Sequence, residues 1–377
     1  MKKEFRNYFF YYLFALFVFS IIYLLKKHDV GNDSTISEWI INYSGGFTKR
    51  GLIGQICIFF AQVYDLELRI VILFFQISLI ATYYVLLFLF FKDIKTNRII
   101  ILSIFTPIFI LYPVAEIEVL ARKEVFIFCF FIGYFFIQKK ILRNFYKLII
   151  FTLAILIWEP AIFFLPFFLA FDAIANKYTV LDKKVLLDIL CYLPAIILVF
   201  YIAFNPISLE NHKVMENFLK INFNEICYMS CNLLKSKSSI YDQFKGNFES
   251  YSFVIFFRYF LIILIGFGPL IILTKNSSLT EKNIIFFSKF RNLFLPTSLI
   301  LSPVLLLFAM GYDWGRWVNI SYVFSVIFYF GLYRNKQIHL NENFLNNKIF
   351  LFLSKKKIYV FILIIFCFGW NPKTVIT

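Results

Sequence analysis

Charged residues are few in this 377-residue chain: they make up 16%, where a soluble protein carries about 25%. Hydrophobic residues take their place, at 61% against roughly 45–50%. That balance excludes the two or three soluble domains that the length would otherwise allow. Nucleotide and metallopeptidase motifs are missing: there is no Gly-x-x-x-x-Gly-Lys-Ser/Thr loop, no Gly-x-Gly-x-x-Gly and no His-Glu-x-x-His. The three histidines, His28, His212 and His339, lie far apart in sequence, which argues against a His-rich metal site. Glycine is scarce, 13 residues beside 54 phenylalanines. Phe, Ile, Lys and Asn share AT-rich codons, so the excess of Phe speaks of the gene's base composition more than of function.

What is present is a series of long apolar blocks broken by short charged stretches, with a mean hydropathy of +0.77. A membrane span needs about 20 apolar residues, so the pattern predicts an all-α polytopic membrane bundle forming a single domain over 1–377. The first block, 8–25, follows Lys2, Lys3 and Arg6 and lacks a small-residue cleavage site. It reads as a retained signal-anchor with its N-terminus in the cytoplasm. Further spans are expected at 70–91, 99–114, 125–137, 148–158, 161–175, 185–204, 252–273, 293–310, 318–333 and 358–370. The total is about 11 helices, within a range of 10–12. The segment 51–64 is apolar but short, and reads as an interfacial or re-entrant helix in a first periplasmic loop, 26–69. A second, large periplasmic loop spans 205–251, in which 211–234 could form a helix lying on the membrane.

The net charge of +16 admits a nucleic-acid surface, cytoplasmic flanks of helices, or a basic pocket for a phosphorylated substrate. The cations punctuate apolar blocks, which excludes nucleic acid as a partner. The short segments assigned inside carry 23 of the 38 Lys and Arg, as the positive-inside rule requires. The parity depends on splitting 148–175 at Trp158-Glu159-Pro160; fusing the two halves would reverse everything downstream. Cys227 and Cys231 form a C-x-x-x-C pair that fits no zinc motif. It reads either as a local disulfide or as two free thiols on one helical face.

On this topology the unusual polar groups collect on the outer side. The first is Ser44-Gly45-Gly46-Phe47-Thr48-Lys49-Arg50-Gly51. Its glycine amides could form an anion nest beside Lys49 and Arg50, next to a helix N-terminus; a tight turn with snorkelling cations is the alternative. The second is Arg122-Lys123-Glu124, only 15 residues before Lys139, or roughly 22 Å of helix. Such a helix is shorter than the hydrocarbon core of about 30 Å, so these charges are expected below the surface. The third is Glu159, 12 residues after Lys147, or roughly 18 Å of helix. Desolvation there is expected to raise its pKa and suit it to proton transfer; pairing with an outer arginine is the other reading. The fourth is Asp313-Trp314-Gly315-Arg316-Trp317, where two indoles flank an arginine as a sugar phosphate would require, although an interfacial aromatic belt also uses Trp. Asp65-x-Glu67 and Glu116-x-Glu118 could each hold a hard cation, with two carboxylates apiece. No metal or cofactor site is expected.

Together, Asn42-x-Ser44-Gly45-Gly46-Phe47-x-x-Arg50-Gly51, Arg122-Lys123-Glu124, Trp158-Glu159-Pro160 and Asp313-Trp314-Gly315-Arg316-Trp317 resemble the motifs of bacterial polysaccharide repeat-unit polymerases, the O-antigen polymerases of the Wzy type. The resemblance spans most of the chain as an ordered set of short motifs. One departure is Trp158 where His would be expected before Glu-Pro.

The resemblance implies a GT-C-like glycosyltransferase of the inner membrane with its active face in the periplasm. Its substrates would be undecaprenyl-diphosphate-linked oligosaccharides as donor and acceptor, with membrane lipids and a chain-length regulator as partners. Arg50, Arg122 and Arg316 would stabilise the diphosphate leaving group. Glu159 would deprotonate the acceptor, with Asp313 in reserve. Gly45, Gly46, Lys49, Lys123, Glu124, Trp314 and Trp317 would complete the binding site. Two rivals share the composition. A glycosyltransferase using a polyprenyl-monophosphate sugar would want a carboxylate near Asp33 or Glu38. A flippase would show repeated halves, and no internal repeat is found.

Overall fold

The computed structural model describes residues 2–30, 34–116, 119–120, 122–235, 240–347, 351 and 355–373. The chain is mostly helical, 74% helix against 2% strand. Three helices among the described residues are long and apolar enough to cross a membrane: Glu4–His28, Leu68–Phe91 and Phe253–Lys275. Lys183–Leu190 and Leu193–Phe204 would make a fourth if the 44° bend between them lies within one span. The other spans expected from hydropathy fall on helices that are shorter, broken or less apolar.

Most of the breaks have a local cause. Residue Thr106 precedes Pro107 and takes an extended ψ of 138°, ending the helix Arg98–Phe105. The stretch 293–310 becomes Phe294–Leu301, a 3-10 turn Ser302–Val304 around Pro303, and Leu305–Met310. The six residues Tyr146–Phe151 form a π-helix between Lys140–Phe145 and Thr152–Ile157. At Trp158 the chain is extended (φ −157°, ψ 97°), and a 3-10 segment Glu159–Phe164 leads into Leu165–Ala175. That break reverses the chain. Lys147 before it pairs with Asp172 after it, Nζ to Oδ2 at 3.1 Å, so the two flanking segments run antiparallel about residue 159.

Other contacts fix the remaining directions. The first helix, Lys2–Val30, lies antiparallel to Leu68–Phe91: Phe9 meets Phe91, Ser20 meets Tyr84, and Arg69 donates to the His28 carbonyl. The helix Trp314–Arg334 is buried from Trp314 to Leu332 and forms the centre of the bundle. Its Asn319 Nδ2 donates to the carbonyls of Ile108 and Phe109 at 2.8 and 3.1 Å, and its Tyr322 hydroxyl to that of Ser103 at 2.6 Å. The carbonyls left open by the break after Phe105 are thus satisfied by polar side chains of the central helix, as buried backbone requires.

The segment 51–64 is a helix, Gly51–Tyr64, with one buried face (Ile53, Gly54, Cys57, Ile58, Ala61) and an exposed one (Phe59, Val63, Tyr64). A Cβ on Gly54 would stand 1.9 Å from the Ile41 carbonyl oxygen, so glycine is what lets this helix lie on the preceding loop. In the stretch 205–251 the helix runs Leu209–Phe223 and stops at Asn224, which caps it with φ 52°. The single helix expected over 211–234 is thus cut short. The chain then turns back through Met229–Asn232, and Cys227 and Cys231 form a disulfide. Two short strands, Ser277–Leu279 and Ile338–Leu340, pair antiparallel near the opposite end of the bundle from Glu159.

Candidate functional site

The loop Ser34–Arg50, the N-terminus of Glu124–Tyr134, the break at 158–160 and the start of the central helix converge at one end of the bundle. They carry an alternating chain of charges, buried at Glu38, Arg122, Glu124 and Arg316 and partly buried at Arg50, Glu159 and Asp313. Arg50 grips Glu159 with two hydrogen bonds, Nε to Oε2 at 2.8 Å and Nη2 to Oε1 at 2.9 Å. Its Nη1 lies 3.6 Å from Glu38 Oε1, which is in turn 3.8 Å from Arg122 Nη1. Arg122 Nη1 also stands 3.8 Å from Asp313 Oδ2, and its Nη2 donates to Ser34 Oγ at 2.6 Å. Asp313 Oδ2 accepts from Arg316 Nη1 at 2.7 Å, and Arg316 Nε donates to Glu124 Oε1 at 2.7 Å. Lys49 approaches Glu159 Oε1 at 3.9 Å, and Lys123 Nζ donates to the Arg50 carbonyl at 2.6 Å. Five cations thus enclose four carboxylates. Of the pairs, Arg316 with Glu124 is the most completely buried, at 4% and 1% side-chain exposure.

Proton affinities follow from this enclosure. Burial pushes the Glu159 carboxyl up, but the charges of Arg50 and Lys49 and the hydrogen bonds from Arg50 bring it down to about 2. The raised value expected from desolvation alone is overturned, because the arginine partner lies 109 residues away in sequence. Glu38 is lowered in the same way, with burial opposed by Arg122, Arg316 and Arg50. Burial, with Arg50 nearby, lowers Lys123 to about 8 against the pull of Glu38.

The cluster opens onto a cavity of about 630 Å³. Thr48, Lys49, Arg50 and Glu159 form its polar end. Its walls are apolar: Ile162 and Phe163 after the break, Val199 and Ile202 opposite, and Leu306, Leu307 and Met310 before the central helix. Leu233 and Leu234, beyond the disulfide, contribute from the 205–251 stretch. Trp317 lines the cavity and lies 6.4 Å from Trp158 between ring centroids. The indole nitrogens of both, and Arg316 Nη2, are buried without a hydrogen-bond partner. Such a volume with one charged end matches the head and first tail segment of an anionic amphiphile.

The structure brings together Lys49, Arg50, Arg122, Lys123, Glu124, Glu159, Asp313, Arg316 and Trp317 from the sequence-derived set. It does not bring Gly45, Gly46 or Trp314 into the site. The Gly46 amide donates to the Tyr43 carbonyl at 2.9 Å within a turn, so no nest is formed there. Gly45 packs on the helix Leu209–Phe223, where a Cβ would stand 1.9 Å from the Asn211 carbonyl oxygen. Trp314 sits in an aromatic box of Tyr251, Phe256, Tyr259 and Phe308, with its Nε1 donating to the Phe308 carbonyl at 2.8 Å. Its indole is occupied there and is not a sugar platform.

Glu38 is the residue the polymerase reading overlooked. Its signal was an acid amid apolar neighbours, Ile36 to Ile41, and only the rival reading used it. Asp33 and Glu118 lie outside the described residues, so the cation reading of Glu116-x-Glu118 rests on Glu116 alone, which is 3.7 Å from Lys373 Nζ. One group of metal-ligating types comes together among the described residues: His212, Cys227 and Cys231. Its two sulfurs are bonded to each other, which leaves no thiolate to coordinate. Comparison with known proteins finds no matching family model, curated protein or solved structure.

Proposed function

We propose that this chain is a membrane glycosyltransferase that joins undecaprenyl-diphosphate-linked oligosaccharides, an O-antigen-type polymerase acting on the periplasmic face of the inner membrane. The observation that carries the reading is the cavity whose one end holds Lys49, Arg50 and Glu159 and whose walls are aliphatic. A diphosphate on a polyprenyl chain is an anion joined to an apolar tail, and few soluble metabolites need both surfaces. Arg50, Arg122 and Arg316 supply guanidinium groups in a site screened from water, where they stabilise charge developing on a leaving diphosphate. Three helices are long and apolar enough to cross a membrane, four with the bent pair, and the shorter apolar helices Gly51–Tyr64, Glu124–Tyr134 and Phe294–Met310 lie among them. The reading takes these as the membrane passages of a GT-C-like bundle, several of them short and broken.

Lipopolysaccharide ladders test the assignment. Arg316→Ala and Glu159→Gln are expected to abolish the ladder and leave single repeat units, at normal protein level. Full ladders from both would remove these residues from the mechanism.

Glu38 favours a second reading, a transferase using polyprenyl-monophosphate sugars, because that chemistry wants a carboxylate in the first loop. Its enclosure by arginines and 1% exposure make it a poor base. Deletion separates the two readings: loss of polymerisation with complete repeat units intact supports the polymerase, and an incomplete repeat unit supports the alternative.

A further inference from the structure

All three guanidinium nitrogens of Arg50 already face carboxylates. Nε and Nη2 are hydrogen-bonded to Glu159, and Nη1 is 3.6 Å from Glu38. An anion that takes the Nε and Nη2 fork of Arg50 must therefore displace Glu159. Glu38 is sealed, with its side chain 2% exposed, whereas Glu159 lines the cavity at 19%. Glu159 is the partner an incoming anion can reach. The Arg50 main chain is meanwhile held by Lys123 through its carbonyl, so the side chain can change partner without moving the loop. Lys49, half-exposed and 3.9 Å from Glu159, offers the displaced carboxylate a second cation.

We propose that Arg50 exchanges partners during turnover: the diphosphate of the lipid-linked donor takes its guanidinium fork from Glu159, and the freed carboxylate accepts the proton of the acceptor hydroxyl. This rests on the reading of the site as one for a diphosphate-bearing amphiphile. A guanidinium fork fits phosphate oxygens as well as carboxylate oxygens, and the diphosphate carries more charge. In the transfer the anomeric carbon–oxygen bond to the diphosphate breaks, and its electron pair leaves with the diphosphate. The acceptor oxygen forms the new bond to that carbon. Its proton passes to Glu159, which later yields it to water. The paired Glu159 is too weak a base for this at neutral pH, and losing Arg50 removes the main cause of that weakness. Base strength thus appears only once the donor is bound.

The experiment is a titration of the purified full-length protein in detergent with farnesyl diphosphate, read by intrinsic tryptophan fluorescence, to which Trp317 at the cavity wall contributes. Glu159→Gln removes the competitor, so it should bind roughly tenfold more tightly, the worth of a charge-assisted hydrogen bond. In an Arg50→Gln background the same change should bring no gain. Equal gains in both backgrounds would mean plain charge repulsion and overturn the exchange, as would weaker binding by Glu159→Gln. If Glu159→Gln does not fold, Glu159→Asp, one methylene too short for the paired geometry, should show a smaller gain, and a loss would overturn the proposal. Failure of the wild type and every variant to bind farnesyl diphosphate would instead refute the amphiphile reading itself.

Discussion

Lys123 shows how a residue's chemistry here is set by what surrounds it. Its Nζ is buried beside Arg50, and burial lowers its pKa to about 8. The ammonium is therefore present below that pH and lost as pH rises through it. Farnesyl diphosphate affinity is expected to fall above pH 8 in the wild type, as one positive charge leaves the site. In Lys123→Arg, which stays charged, that fall should be absent; a wild-type affinity flat between pH 7 and 9 would contradict the assignment. The sequence singled out Arg122, Lys123, Glu124 and Glu159 because ionisable groups expected at membrane depth are costly, and Lys49, Arg50, Asp313 and Arg316 by the glycines and indoles beside them. It could not tell which carboxylate meets which guanidinium. Arg316 meets Glu124 across 192 residues, and no local rule reaches that far.

At the scale of elements, the break at Trp158-Glu159-Pro160 was legible in the sequence, whereas Pro107 and Pro303 lay inside the expected spans 99–114 and 293–310. Both prolines end a helix as their rings require. The π-helix at Tyr146–Phe151 had no such mark in the sequence. The Gly-Gly pair was misleading in a different way. Its glycines serve a turn and a close approach to another helix, and both are backbone roles that resemble an anion nest in sequence. Gly54 gives the element-scale prediction. Gly54→Val should displace the helix Gly51–Tyr64 from Ile41, costing about 1–3 kcal/mol. Gly268→Ala, with nothing within 4 Å of its Cβ, should be tolerated. Thermal denaturation in detergent distinguishes them, and equal melting points would show that the loop gives way to the helix.

At the scale of the whole molecule, the two ends differ in kind. One holds the charged site and the cavity. The other is fastened by Lys147 between Asp172 and Asp188 at 3.1 and 3.6 Å, with the Tyr134 hydroxyl donating to Asp172 at 2.6 Å. The proposed orientation puts the first end in the periplasm. Lys245→Cys, in the 205–251 stretch, should then react in intact cells with a membrane-impermeant maleimide, and Lys184→Cys should react only after lysis. The opposite pattern would invert the molecule and move the site to the cytoplasm.

The sequence by itself determined that the chain is helical and apolar, that it breaks at Trp158-Glu159-Pro160, and which charges are too expensive to be idle. Hydropathy, proline stereochemistry and the cost of desolvating a charge are local properties that a linear reading can measure. Only the tertiary structure decided that Glu38 joins the site, that Gly45, Gly46 and Trp314 leave it, and that Glu159 is held ionised by Arg50. Those outcomes depend on Coulomb partners and backbone contacts brought together from distant parts of the chain. The scarcity of charge marked the site, and folding set what each charge does.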